Sequence, residues 1–165
     1  MINTVVLLTG SNAGNREGML GNATRILEKN GVKISAASSV YETAAWGKED
    51  QPDFLNQVLI TRTDHTPVQM LNLILETEKE MGRMRNEKWE QRCIDIDILF
   101  FNNEILHESG LKIPHEHLHA RRFTLVPLNE LIPEYVHPVL KKTIRHLLNE
   151  CADTKEVKLK SRSTD

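Results

Sequence analysis

The chain of 165 residues lacks any apolar run near the eighteen or so needed to cross a bilayer as a helix, and the apolar stretch Val5 to Leu8 is too short, with no basic leader, for a secretion signal. A soluble, cytoplasmic protein with no membrane partner is expected. Cysteine is scarce: Cys93 and Cys151 lie far apart and match neither metal nor redox spacing, so no disulfide is expected. Charge of one sign is also lacking. With 21 Lys and Arg against 23 Asp and Glu, the formal net charge of −2 gives no overall field for nucleic acid, and any anion site has to be built locally. Aromatics make up only 5% of the chain, so the place of each one carries weight. There is no Walker-type phosphate cradle either, because "GSNAGNREG" has no G-K-[ST].

What is present fits one globular domain over 1–165, with 153–165 a peripheral polar tail in which "EVKLK" can pair as an edge strand. Ile2 to Thr9 is β-rich and runs through the turn cluster Gly10-Ser11-Asn12 into a helix carrying Met19, Ala23, Ile26 and Leu27, which Gly31 stops. Lys33 to Tyr41 and Phe54 to Arg62 read as strands joined by a long loop. Thr66-Pro67-Val68-Gln69 starts a second helix with an N-cap, a proline at N1 and a capping-box Gln; it reaches about Met81 and stops at Gly82. After the strand "RCIDIDILFF" and the turn Asn102-Asn103 come short elements broken by Pro114, Pro127, Pro133 and Pro138, then a closing helix over Lys141 to Glu150. The order β-α-β-β-α-β predicts an α+β fold with helices on one face of a mainly antiparallel sheet.

The strand Arg92 to Phe101 holds two aspartates among isoleucines. Alternation puts Ile94, Ile96, Ile98 and Phe100 on one face and Cys93, Asp95, Asp97 and Leu99 on the other, with the two carboxylates roughly 7 Å apart at their Cα atoms. Burial of an ionised carboxylate costs several kcal/mol unless it is paired or metal-bound, so the pair suits Mg²⁺ shared with substrate phosphates. Two surface acids on a solvent-facing strand would give the same spacing.

The flanking segment is basic, with Arg83, Arg85, Lys88 and Arg92 around Trp89, either a solvated charge run or a set of guanidinium forks for phosphate. On the preceding helix Leu71, Ile74, Leu75, Glu78 and Met81 form one stripe, which places the Glu78 carboxylate on the buried side in need of a partner: Arg83, Arg85 or a polar substrate group. His115, His117 and His119 alternate, but Pro114 argues against a strand there and no zinc motif is present, so one histidine donating an N–H to phosphate is the better reading. Phe54 with Asn56, and Arg121 with Phe123 if that segment is extended, each pair a flat apolar surface with a polar group, either core packing or a cradle for a planar heterocycle.

Together "GSN", "SSVYETAAWG", "DQPDFLNQV", "ETEKEMGRMR", Trp89, Arg92, "DIDIL", "LKIPHEHL" and "RRFTLVPLNELIPEYVHP" resemble the 6-hydroxymethyl-7,8-dihydropterin pyrophosphokinases, Mg²⁺-dependent folate-pathway enzymes that move pyrophosphate from ATP to a pterin alcohol. The resemblance implies a ferredoxin-like α+β fold and, as ligands, ATP and the dihydropterin alcohol on a monomer. By the same resemblance, Asp95 and Asp97 bind two Mg²⁺ ions that bridge the phosphates, and Arg83, Arg85, Trp89 and Arg92 belong to a mobile loop over the nucleotide, Arg83 and Arg92 in catalytic roles. His115 contacts a phosphate, adenine lies near Ile98, Leu111, Lys112 and Ile113, and Glu78 and Arg121 match further site residues. Phe54 and Phe123 sandwich the pterin, while Asn56 and the backbone around Thr43, Ala44 and Trp46 read its edge. The chain departs from the family pattern at Ala44-Ala45, Glu90-Gln91 and Glu116. Two rival readings, a non-catalytic sensing module of the same fold and a D-x-D nucleotidyltransferase with another acceptor, stand beside this one.

Overall fold

The computed structural model describes residues 1–44, 52–82, 93–108 and 110–162. Strand β1 (Asn3–Ser11) lies inside an antiparallel sheet, between β5 (Asp95–Phe101) at one edge and β4 (Phe54–Thr63). The long β4 pairs along one half with β2 (Lys33–Ala37) and along the other with β3 (Val40–Thr43), and β8 (Lys158–Ser161) adds to β3. The sequence reads β2 and β3 as one strand; the chain breaks between them because Ser39 donates its N–H and its hydroxyl to the Glu130 carboxylate instead of a ladder partner. The tail therefore supplies an edge strand, and Asp153 accepts the Arg122 and Lys155 amides.

Helix α1 (Arg16–Lys29) is capped by Asn15, whose side chain accepts the Gly18 N–H, and the chain turns back where Gly31 takes a φ of +85°. Helix α2 (Pro67–Glu80) has the expected capping box between Thr66 and Gln69, and Gly82 takes a φ of +84° beyond its end. Both pack on one face of the sheet, where Leu20, Ala23, Leu27, Met70 and Ile74 meet Val5, Leu7, Leu55, Leu59, Ile96 and Ile98.

The other face is not bare, contrary to the one-sided arrangement expected. Helices α3 (Arg122–Leu131) and α4 (Ile144–Glu150) bury Leu125, Leu128, Ile144 and Leu147 against Val6, Leu8, Val58, Leu99 and Phe100. The reason is in β1: Val5, Val6, Leu7 and Leu8 are apolar in succession, the mark of a strand covered on both sides. The sequence also hides α3, because Pro127 sits inside it. A proline in a helix interior costs about 3 kcal/mol, and burial of Thr124, Leu125 and Leu128 offsets that.

A second correction concerns β5. Its register against β1 runs Gly10 to Asp95, Thr9 to Ile96, Leu8 to Asp97 and Leu7 to Ile98, then jumps to Val6 opposite Phe100. Leu99 is the extra residue of a bulge, so the alternation inverts after it: Phe101 joins the isoleucines and Phe100 turns to the α3 side. Among the described residues no helix is long and apolar enough to cross a membrane.

Candidate active site

Registers across the sheet place the polar side chains on one face in transverse rows. Asp97, Leu8 and Val58 form one row, and Asp95, Gly10, Asn56 and Tyr41 form the next. The first row touches the α3/α4 core; the second lies beyond it, where the apolar packing gives out. The aspartates thus share the α3 side of the sheet, both half-buried. Gly10 leaves the floor of the polar row open, because a Cβ there would stand 2.6 Å from Asn56 Nδ2. Asn56 is buried and donates from Nδ2 to the Thr9 carbonyl at 3.3 Å.

Because β5 is the sheet edge, side chains from both of its faces reach a cleft along it. One part of the cleft, of about 350 Å³, is lined by Ile96, Asp97, Ile98, Leu111, Lys112 and His115, with Leu71 and Ile74 of α2. The adjoining part, also about 350 Å³, adds Glu78, Asp95 and Arg121. Leu111 and Lys112 come from the hairpin of β6 (Leu106–Glu108) and β7 (Leu111–Ile113), while Ile113 is buried in the α1/α2 core. Lys112 Nζ pairs with Glu116 at 2.9 Å, which holds that exposed carboxyl below its usual range.

Glu78 is only 3% exposed, as its place on the helix stripe predicts. Its Oε2 accepts the Ile96 N–H at 2.9 Å from the outer edge of β5, while Arg83 and Arg85, named as partners from the sequence, lie outside the described residues. In an antiparallel strand outward N–H and C=O groups recur every second residue, so Ile98 turns its N–H and C=O to the same edge, into the cleft.

His115 carries the least obvious chemistry. Its N–H donates to the Leu99 carbonyl at 3.0 Å, and its ring Nδ1 accepts the His117 amide at 3.1 Å. Burial, with the Arg121 guanidinium and the His117 ring beside it, pushes its pKa down to about 4. The imidazole is therefore neutral at pH 7 and protonated on Nε2, whose N–H lies 4.0 Å from Asp97 Oδ2. It is a donor toward the cleft and not an ion-pair partner.

The two parts of the site meet at Arg121. It precedes α3 in extended conformation and lines the cleft, and its guanidinium carbon lies 5.7 Å from the Phe123 ring centroid. The extended Arg121–Phe123 segment expected from sequence is thus corrected: Phe123 belongs to the first turn of α3, and the two side chains meet across a helix start. Phe54, opposite Thr43 in the β3/β4 ladder, shares a face with Asn56 two residues on. Thr43 is buried and Ala44 exposed. Trp46, Arg83, Arg85, Trp89 and Arg92 lie outside the described residues. Sequence reasoning missed Gly10, Leu71 and Ile74; only the "GSN" turn and the α2 stripe hinted at them.

A hard divalent cation fits this donor set. Among the described residues no three His, Cys, Asp or Glu side chains converge to hold a metal alone. Two carboxylates on one face, beside an imidazole whose facing nitrogen already carries hydrogen, leave the remaining positions to water and phosphate, which is the habit of Mg²⁺.

The family model described as 7,8-dihydro-6-hydroxymethylpterin-pyrophosphokinase (HPPK) matches residues 6–133. The 2-amino-4-hydroxy-6-hydroxymethyldihydropteridine pyrophosphokinase of Aquifex aeolicus is 41% identical over 147 residues, covering 89% of this chain and 91% of that protein. The Haemophilus influenzae protein of the same name is 34% identical over 157 residues, with 94% and 98% covered. In fold the chain is similar to the Plasmodium falciparum HPPK-DHPS crystallised with pteroate, at a TM-score of 0.74 and 23% identity; the likeness covers 91% of this chain and 42% of that longer one. Sequence and fold agree, and the chain belongs to the 7,8-dihydro-6-hydroxymethylpterin-pyrophosphokinase family.

Proposed function

We propose that the chain transfers the terminal diphosphoryl group of ATP to the hydroxymethyl group of 6-hydroxymethyl-7,8-dihydropterin, releasing AMP, as a magnesium-dependent monomer of one domain. The observation that carries this reading is the polar row of the α3 face, with Asp95 at one end, Asn56 two strands away and no side chain on Gly10 between them. Neighbouring strands lie about 4.8 Å apart, so roughly 10 Å separates the two groups, room for an alcohol to meet a phosphate over β1.

Asp95 and Asp97 would hold two Mg²⁺ ions, which when bound neutralise phosphate charge and polarise the β-phosphorus. His115 supplies a neutral Nε2–H to a phosphate oxygen, and Arg121 adds positive charge on the same side. Adenine lies against Leu111 and Lys112 with Ile113 behind, read by the outward N–H and C=O of Ile98, while Glu78 holds the edge strand in place. Arg83, Arg85 and Arg92 bring charge for the transferred group, and Trp89 covers the nucleotide. The pterin lies between Phe54 and Phe123, with Asn56 and the backbone of Thr43, Ala44 and Trp46 on its hydrogen-bonding edge. Phosphoryl transfer asks chiefly for positioning and charge stabilisation, which these groups supply. Incubation with ATP, Mg²⁺ and the dihydropterin alcohol should yield AMP and the pterin diphosphate in equal amounts. AMP or ADP formed without pterin diphosphate, or equal turnover after chelation of the metal, would refute the reading.

A further inference from the structure

We infer that Arg16 is a positioning residue for the pterin half of the site, acting through the sheet without touching the substrate; the inference rests on the function proposed above. Arg16 opens α1, and its Nη1 donates to Glu42 Oε2 at 2.6 Å and to the Asp53 carbonyl at 2.8 Å. One guanidinium thus joins the end of β3 to the residue that leads into β4. Asn12 adds a second tie, donating from Nδ2 to the Pro52 carbonyl at 3.3 Å.

The register says what the clamp fixes. Glu42 faces Leu55 across the ladder, and Leu55 belongs to the α1/α2 core, so the Arg16–Glu42 pair sits on the α1 side. The next pair, Thr43 with Phe54, turns to the opposite side, as does Asn56. The clamp therefore grips the sheet from behind at the rungs that present Phe54 and Asn56 in front. Strand ends fray unless tied, and β3 has only four residues. The pair is also more than three-quarters shielded, with side-chain exposures of 24% and 23%. Both bonds leave from the single nitrogen Nη1, so a lysine ammonium, with three donors on one nitrogen, can make part of the same contact.

The test compares Arg16→Ala and Arg16→Lys with the unchanged chain. For Arg16→Ala, binding of the dihydropterin alcohol, titrated in the presence of Mg²⁺ and a non-hydrolysable ATP analogue, should weaken at least tenfold. Binding of the analogue alone should stay within twofold, KM for the pterin should rise more than kcat falls, and Arg16→Lys should recover part of the loss. In the ligand-free protein, hydrogen exchange at Glu42, Thr43, Phe54 and Leu55 should speed up at least tenfold in Arg16→Ala, with that at Val58 and Leu59 unchanged. Equal weakening of both ligands, or unaltered exchange at those four amides, would overturn the inference. Absence of pterin binding by the unchanged chain would instead refute the proposed function, while the exchange data would still judge the clamp.

Discussion

The two faces of the sheet are built from the same strands and end differently. Under α1 and α2 an apolar cluster runs from Val5 and Phe101 through Leu7 and Ile98 to Leu55 and Ile96, and the buried Thr9 and Thr61 on that side donate to the Gln57 and Val5 carbonyls. Under α3 and α4 it is apolar only as far as Leu8 and Val58, and then gives way to Asp95, Gly10, Asn56 and Tyr41. Helix α3 has ten residues, and the apolar cluster beneath it and α4 includes Leu8 and Val58 but none of the Asp95, Gly10, Asn56 and Tyr41 row.

The largest effect expected from breaking this division is on chemistry. Asp97→Ala, or Asp95→Ala, should lower kcat about a thousandfold or more while the thermal midpoint stays within a few degrees, because neither side chain lies in an apolar cluster. AMP release and a melting curve on the same sample check both halves of the statement.

The converse change strikes the apolar cluster under α1 and α2. Leu27 is fully buried beneath α1, and Leu27→Ala should cost ~2–5 kcal/mol in urea unfolding. Ligand affinities of the folded fraction should remain as they were.

Within the apolar part of the α3 face, His137 sharpens the contrast, since it is polar but kept neutral. It packs edge-on to Phe100 at 5.7 Å, and its Nδ1 accepts the Val139 and Leu140 amides at 3.1 and 3.0 Å. Burial, with His119 nearby, pushes its pKa down from 6.5 to about 4. Between those two values the unfolded chain binds the proton more readily than the folded one, so stability falls as pH drops through that window and is flat above it with respect to this group. The loss should be on the order of 3 kcal/mol by pH 4. His137→Asn keeps an acceptor for the two amides, and urea midpoints at pH 7 and near pH 4 should then differ less than in the unchanged chain.

The smallest effect belongs to Gly10. Gly10→Ala places a methyl 2.6 Å from Asn56 Nδ2, so the amide has to move. Pterin binding should weaken about tenfold, the equivalent of ~1.4 kcal/mol, with ATP-analogue binding unaltered. Unchanged pterin affinity would remove Asn56 and the glycine floor from the site.

What could be read in the sequence was what is determined locally. The capping box of α2, the turns at Gly31 and Gly82 and the acid-isoleucine alternation of β5 need only neighbouring residues, and the structure has them. Features fixed by distant pairing were not legible. The bulge at Leu99 depends on how β1 lies against β5, and α3 forms despite Pro127 because a sheet face waits for it. Glu78 was half legible: the helical stripe gave its burial, but its bond to the Ile96 amide has no side-chain signature. Arg121 and Phe123 were paired on the condition of an extended segment; they do meet, but across a helix start that the sequence hides because a proline interrupts the Leu125 and Leu128 spacing. Gly10 showed in the sequence only as part of the "GSN" turn, and Arg16 bonds to Glu42 and Asp53 at a distance along the chain that a linear pattern does not reveal.

The Glu78 contact also bears on how the protein keeps company with itself. An edge strand with open amides and carbonyls invites another chain to extend the sheet, and long apolar edges are where aggregation begins. On β5 the Ile96 N–H is taken by Glu78 and the Leu99 carbonyl by the His115 amide. Two of the edge's backbone groups are thus already bonded within the chain and are not open to a strand from another polypeptide.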